Sequence, residues 1–243
     1  MIPKGVMVAT DSTLEWMLPW WLYHFKKHVD LPIAFVDLGM TEEKKAFCKH
    51  HGTLISIEPK QFPFDPNRIK ELTDASVFHL SNLNEFLLKR NAWLLKPFAC
   101  LASPFETTLW LDIDCEILQP IDNLFLSDGF VCLKENDDSL NFYINRGIIP
   151  KMSACYNSGL ILYDKNHPLL FAWAKELEEN PGYYLGDQDA LSAIIEKFNY
   201  PIETFSKECH RFYNEQIFES TLIRHYYTID GKKEVIRKML FSL

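Results

Sequence analysis

Two carboxylates one residue apart, Asp112 and Asp114, follow directly on an apolar, β-branched run, TTLWL at 107–111. Alternate residues of a strand share a face, so both carboxylates are expected to meet at one spot where the strand ends. Like charges that close stay ionised only with a cation between them, which makes the pair a candidate divalent-metal site. In open α/β sheets the carboxyl ends of the strands are also where ligands bind. The spacing alone is common: Asp187 and Asp189 repeat it, and a solvated strand end has the same pattern. What distinguishes the first pair is that it terminates an apolar strand.

The elements that must position the pair alternate along the chain. Residues 5–10 (GVMVAT) predict a first strand, 14–29 a buried helix with Pro19 near its start, and 32–38 (PIAFVDL) a second strand. Thr41 is placed to cap a helix over 42–50, Gly52 ends it, and 54–58 forms a third strand. This alternation implies right-handed crossovers and a mainly parallel central sheet with helices on both faces. After a proline-rich connection at 61–67, helix returns over 83–102, with Pro97 starting a new segment. Residues 129–133 and 159–163 read as strands, and 168–179 and 187–198 as helices. A single α/β domain over 1–243 is expected. Its last third looks less regular.

Composition bounds the function. Of the 243 residues, 47% are hydrophobic and 14% aromatic, which excludes a disordered chain. The formal charge of −8 argues against a nucleic-acid partner, whose phosphates call for clustered Lys and Arg. No apolar window is long enough to span a bilayer, the N-terminus lacks a signal-peptide plan, and the six cysteines form no CxxC pair. These features suit a cytoplasmic enzyme with reduced thiols; a lumenal domain separated from its anchor would read alike. The C-terminal 232–241 (KKEVIRKMLF) mixes basic and apolar residues at helical spacing. It fits a terminal helix packed on the domain, or peripheral contact with the inner face of an anionic membrane. The acidic 135–138 (ENDD) reads as a solvated loop.

Four segments together resemble retaining, metal-dependent glycosyltransferases of the GT-A fold, and glycosyltransferase family 8 in particular. Residues 96–114 (KPFACLASPFETTLWLDID) are similar to the approach to that family's DxD motif, and also to α-mannosyltransferases of the yeast cell-wall type. Ala9-Thr10-Asp11 ends the first strand, 156–161 (YNSGLI) resembles the family's F/Y-N-S-G motif, and 186–191 (GDQDAL) its D-Q motif. The matches are collinear and span most of the chain. The resemblance implies a nucleotide-diphospho-sugar transferase of Rossmann-like architecture, with a nucleotide-binding half over about 1–118 and a sugar or acceptor half over about 119–243. Thr10 and Asp11 would contact the nucleoside, and the Asp112-Ile113-Asp114 segment the metal and diphosphate.

Each matched residue also has its own chemistry. Lys96 can offer a point charge to a phosphate or sugar hydroxyl, or snorkel from an apolar helix. Asn157 and Ser158 present an amide and a hydroxyl to sugar hydroxyls while Gly159 permits close approach; the same residues suit a strand-initiating turn. Asp187 and Gln188 open a helix after Gly186 as sugar-binding, catalytic candidates, and Asp187 also fits an N-cap. The resemblance supplies His225 as third metal ligand with Asp112 and Asp114, and Gly231 and Lys232 (or Lys233) as the segment closing over the diphosphate. Here the chain departs from the pattern: glycine and lysine come late, and the usual Pro-Trp is missing. A packed histidine is the alternative to the ligand reading of His225.

The implied activity is hexose transfer from a nucleotide-sugar, expected to be a UDP-sugar, to a glycan, lipid-linked glycan or protein hydroxyl. Mn2+ suits a carboxylate and imidazole donor set, with Mg2+ the alternative. A bound cation would reverse the local field felt by a diphosphate, so the acidic balance is compatible with that donor. Three rival readings share features of this pattern. A haloacid-dehalogenase-type phosphatase places its DxD near the N-terminus, a sugar nucleotidyltransferase needs a Gly-rich, Arg-containing loop after its first strand, and a non-catalytic relative would keep only the fold.

Overall fold

A computed structural model of the chain describes residues 2–68, 83–135, 141, 144 and 152–241. The strands are β1 (Ile2–Thr10), β2 (Ile33–Asp37), β3 (Thr53–Ser56), β4 (Phe105–Leu111), β5 (Cys115–Ile117), β6 (Phe130–Lys134), β7 (Tyr156–Asp164), β8 (Glu203–Thr204), β9 (His210–Phe212) and β10 (Ile223–His225). The helices that concern the site are α1 (Leu18–His28), α2 (Glu42–His51), α3 (Leu83–Leu94), α4 (Lys96–Leu101), α5 (Pro168–Glu179), α6 (Asp187–Phe198) and α7 (Ile229–Phe241). Seven strands form the main sheet in the order β3-β2-β1-β4-β7-β6-β8, and β5-β10-β9 form a small second sheet. In the main sheet only β7 runs against its neighbours β4 and β6, so the sheet is mainly parallel, as the alternation predicts.

The buried strands separate two apolar layers by residue parity. Val6 and Val8 of β1, with Leu109 and Leu111 of β4, pack with Trp21 and Phe25 of α1. Met7 and Trp110 point the other way, toward Ala99 of α4, Trp173 of α5 and Leu191 of α6. With both faces covered, these strands carry continuous apolar runs, Val6–Ala9 and Leu109–Leu111, instead of alternating with polar residues. That is why TTLWL reads as a strand yet hides its period.

Local signals explain the boundaries. Thr41 caps α2, its hydroxyl accepting from the Lys44 amide at 3.4 Å, and Glu42 and Glu43 sit in the first turn where the helix dipole favours acids. Pro97 falls in the first turn of α4, where a missing amide hydrogen costs nothing, so the predicted long helix breaks at Leu95. Three expectations need correction. Asn157, Ser158 and Gly159 lie within β7, not in a turn before it. The final helix starts at Ile229, which puts Gly231 inside it. The irregular last third contains β8, β9 and β10, each too short to show a periodicity. Among the described residues, no helix is long and apolar enough to cross a membrane, and all six cysteines are buried free thiols.

Candidate active site

The site forms where β4 ends and the chain turns into β5. The Asp112 amide donates to Gly159 O of β7 at 2.9 Å, which fixes the turn against the sheet. Asp112 accepts from Trp110 Nε1 at 2.8 Å and faces the Lys96 ammonium at 3.0 Å. Asp114 is buried; its two oxygens face His225 Nε2 at 3.1 Å and Lys232 Nζ at 2.7 Å. Burial by itself would raise the Asp114 pKa, but the neighbouring His225 and Lys232 outweigh it and hold the carboxyl well below its ordinary range. Ligand atoms of Asp112, Asp114 and His225 all lie within 4.8 Å of one another. Ile113 between them turns its side chain into the core, leaving only its backbone toward the site.

His225 reaches this point through sheet pairing. β10 runs antiparallel to β5 with His225 opposite Cys115, one residue past Asp114. The ring packs on bare backbone: a Cβ built on Gly159 would fall 2.5 Å from His225 Cε1. Gly159 is therefore required by a close approach inside a strand. At Gly231 a Cβ would meet the Tyr226 backbone at 2.8 Å, so glycine lets α7 lie against that strand end. One residue on, Lys232 also reaches Tyr226 O and Tyr227 O at 3.3 Å while bridging to Asp114.

Lys96 is neither a surface lysine nor a free charge. The residue is 6% exposed, and its ammonium contacts Asp187 at 2.8 Å, Asp112 at 3.0 Å and Ser158 O at 3.1 Å. Desolvation would lower its pKa, but Asp112 and Asp187 more than compensate and raise it. The three predicted segments are thus tied together through one buried ammonium. Ser158 Oγ donates to Asp187 at 2.6 Å, completing the junction.

Asn157 and Gln188 form the adjoining wall, with Asn157 Nδ2 donating to Gln188 Oε1 at 3.2 Å. The same Nδ2 also donates to Glu135 Oε1 at 2.9 Å, and burial raises the Glu135 carboxyl above its usual range. This corrects the solvated-loop expectation for Glu135; residues 136–138 lie outside the described residues. The role foreseen for Asp187 as a cap also changes hands. Gly186 is the N-cap of α6, and Asp189 accepts from the Gly186 and Leu185 amides at 2.8 and 2.9 Å. Burial pushes the Asp189 carboxyl up to about 6. Asp187 is left free to face Lys96 and Ser158.

Thr10 and Asp11 end β1 at the same edge of the sheet, which β4 shares through parallel pairing with β1. Asp11 Oδ1 accepts from the Thr13 amide at 2.9 Å and the Leu14 amide at 3.2 Å, shaping the turn into the first helical segment. Buried Arg90 of α3 fastens the loop that leads to α6. Its guanidinium donates to Phe62 O and Tyr184 O at 2.9 Å and to Pro181 O. Glu135 and Arg90 escaped sequence reasoning because their partners lie far away in the chain.

No family model matches the sequence, and no curated protein matches it significantly. Solved structures do. The galactosyltransferase LgtC, solved with donor and acceptor sugar analogues, superposes with a TM-score of 0.62 at 13% identity over 93% of this chain and 87% of its own. Mouse xyloside xylosyltransferase 1 gives 0.57 at 14% identity, covering 92% of this chain and 97% of its own. The bifunctional glycosyltransferase WbbM gives 0.61 at 10% identity, over 93% of this chain but 46% of its own. The mainly parallel sheet flanked by helices is the GT-A fold that these glycosyltransferases share.

Proposed function

We propose that the chain is a metal-dependent, retaining glycosyltransferase that moves a hexose from a nucleotide-sugar, a UDP-sugar in the first instance, to a hydroxyl acceptor. The reading is carried by the convergence of Asp112, Asp114 and His225 within 4.8 Å at the end of β4. Two carboxylates and an imidazole suit Mn2+, with Mg2+ the harder alternative. The Lys232 ammonium, 2.7 Å from Asp114, already places positive charge where a cation would sit. When bound, the metal supplies charge stabilisation to the departing diphosphate.

The chain's own groups divide the remaining work. Thr10 and Asp11 line the edge assigned to the nucleoside. Asn157, Asp187 and Gln188 supply acceptors and donors for sugar hydroxyls, and Lys96 holds Asp187 in place. A glycosidase-like covalent route would need a free carboxylate at the anomeric carbon. Asp187 is engaged by Lys96 at 2.8 Å and Ser158 at 2.6 Å, which supports a hydroxyl-binding role and same-face attack by the acceptor instead. For Lys96 to meet a phosphate it would have to exchange one of its present partners.

The acceptor is a glycan, a lipid-linked glycan or a protein hydroxyl. A lipid-linked acceptor would be consistent with α7, whose exposed Ile229, Ile236 and Leu240 lie beside Lys233 and Arg237 while Gly231 and Val235 face the domain. The decisive experiment is a nucleotide-sugar hydrolysis screen with and without Mn2+, run beside Asp112→Ala. Metal-dependent turnover that the substitution abolishes is expected. Absence of donor binding, or hydrolysis indifferent to metal and mutation, overturns the proposal. An inverted product anomer by NMR would remove the retaining assignment.

A further inference from the structure

We propose that Cys115, His210 and His225 form a second cation site, suited to a thiolate-seeking ion such as Zn2+, on the far side of His225 from the carboxylate pair. Ligand atoms of the three residues lie within 4.8 Å of one another, and all three are buried. Sheet register puts them together. Cys115 of β5 faces His225 of β10, and His210 of β9 is paired with Ile223, two residues from His225 and therefore on the same face. The His210 and His225 rings meet edge to face, their centroids 5.3 Å apart.

The independent observation is the hydrogen-bond account. Among the described residues, His210 Nδ1 and Nε2 and His225 Nδ1 are buried with no hydrogen-bond partner. His210 is 2% exposed and His225 4%. A buried polar atom left unpaired costs about 1–3 kcal/mol, so three in one pocket next to a thiol need an explanation. Phe212 and Tyr227 close the pocket with aromatic rings and offer no acceptor to those nitrogens. With His225 Nε2 turned to Asp114, the atom it offers to the second cluster is Nδ1. Sulfur and two imidazoles without a carboxylate favour Zn2+ over Mg2+ or Mn2+, the reverse of the preference at Asp112 and Asp114.

Binding replaces the Cys115 S–H bond by a metal–sulfur bond, and the proton leaves to solvent. If a cation also occupies the carboxylate side, His225 would then be shared between the two sites, with Nε2 toward Asp114 and Nδ1 toward Cys115 and His210. Occupancy of either side then changes affinity at the other, and the coupling is reciprocal. The inference does not rest on the transferase reading, because none of its evidence involves a donor.

The test uses the metal alone. Metal-free protein is titrated with Co2+, a spectroscopic substitute for Zn2+, and the near-ultraviolet thiolate-to-cobalt charge-transfer band is followed. The band should appear in the wild type, vanish in Cys115→Ser, weaken in His210→Gln and survive in Asp112→Asn. X-ray absorption of the Zn2+-loaded wild type should show one sulfur with nitrogen neighbours, a readout that requires no variant to fold. Absence of sulfur from that coordination shell, or a band that persists in Cys115→Ser, overturns the proposal. Loss of activity in Asp112→Asn with the band intact would speak only to the transferase site.

Discussion

Lys96→Met is the most searching perturbation of the site, because it keeps the aliphatic length over Trp110 and deletes only the charge. The ammonium lies 2.8 Å from buried Asp187 and 3.0 Å from half-buried Asp112. At an effective dielectric of about 20, each separation corresponds to about 6 kcal/mol of attraction before desolvation is subtracted. Burying the ions takes back several kcal/mol apiece, so the pair itself contributes little, yet orphaning its partners is costly. Lys96→Met should therefore lose about 3–5 kcal/mol in urea unfolding at neutral pH. Asp187→Asn, which strands the ammonium with one fewer partner, should lose a comparable amount. The double variant removes both charges and should be destabilised by at least about 2 kcal/mol less than the sum. If the two losses add to within about 0.5 kcal/mol, the groups do not hold one another, and the account of Lys96 as the tie between segments is wrong.

Three further outcomes follow from single contacts. The Asp189 carboxyl is raised by burial to about 6 from 3.8, so the folded state binds its proton more tightly than the unfolded chain. The resulting stabilisation is complete below the unfolded value and lost as pH rises through about 6, amounting to about 3 kcal/mol by pH 7. Melting curves should show wild type losing ground to Asp189→Asn between about pH 4 and pH 7. Arg90→Met should cost about 3 kcal/mol by leaving three carbonyls without their donor, and hydrogen exchange should accelerate around residues 181–186. Gly159→Ala must displace the His225 ring, and Mn2+ affinity measured by calorimetry should fall tenfold or more, roughly 1–2 kcal/mol, with a small change in melting temperature.

The parts of this molecule that were legible in advance are those whose signal is local. Thr41 announces α2, Pro97 announces the break before α4, and the Asp pair sits at a strand end that apolar flanks reveal. What stayed hidden depends on contacts between distant segments. Glu135 looks like solvent-facing acid until β7 brings Asn157 against it. The second sheet is built from strands of three residues, too short to carry a pattern, so the pairing of Cys115 with His225 could not be read from spacing. At the start of α6 the acid three residues after Gly186, not the one directly after it, satisfies the free amides; the Gly-x-x-Asp segment lacks the Ser/Thr-x-x-Glu/Gln pattern that would have announced it.

The contact between Gly159 and His225 also bears on how such sequences can diverge. A side chain at 159 and an imidazole at 225 cannot both be accommodated without movement, since the added carbon would fall 2.5 Å from the ring. Substitution at one position is thereby conditional on the other, and the order of changes matters: the ring must shrink before the glycine can grow. Among descendants of this chain, the two positions should covary, with larger residues at 159 confined to lineages that have already given up the histidine.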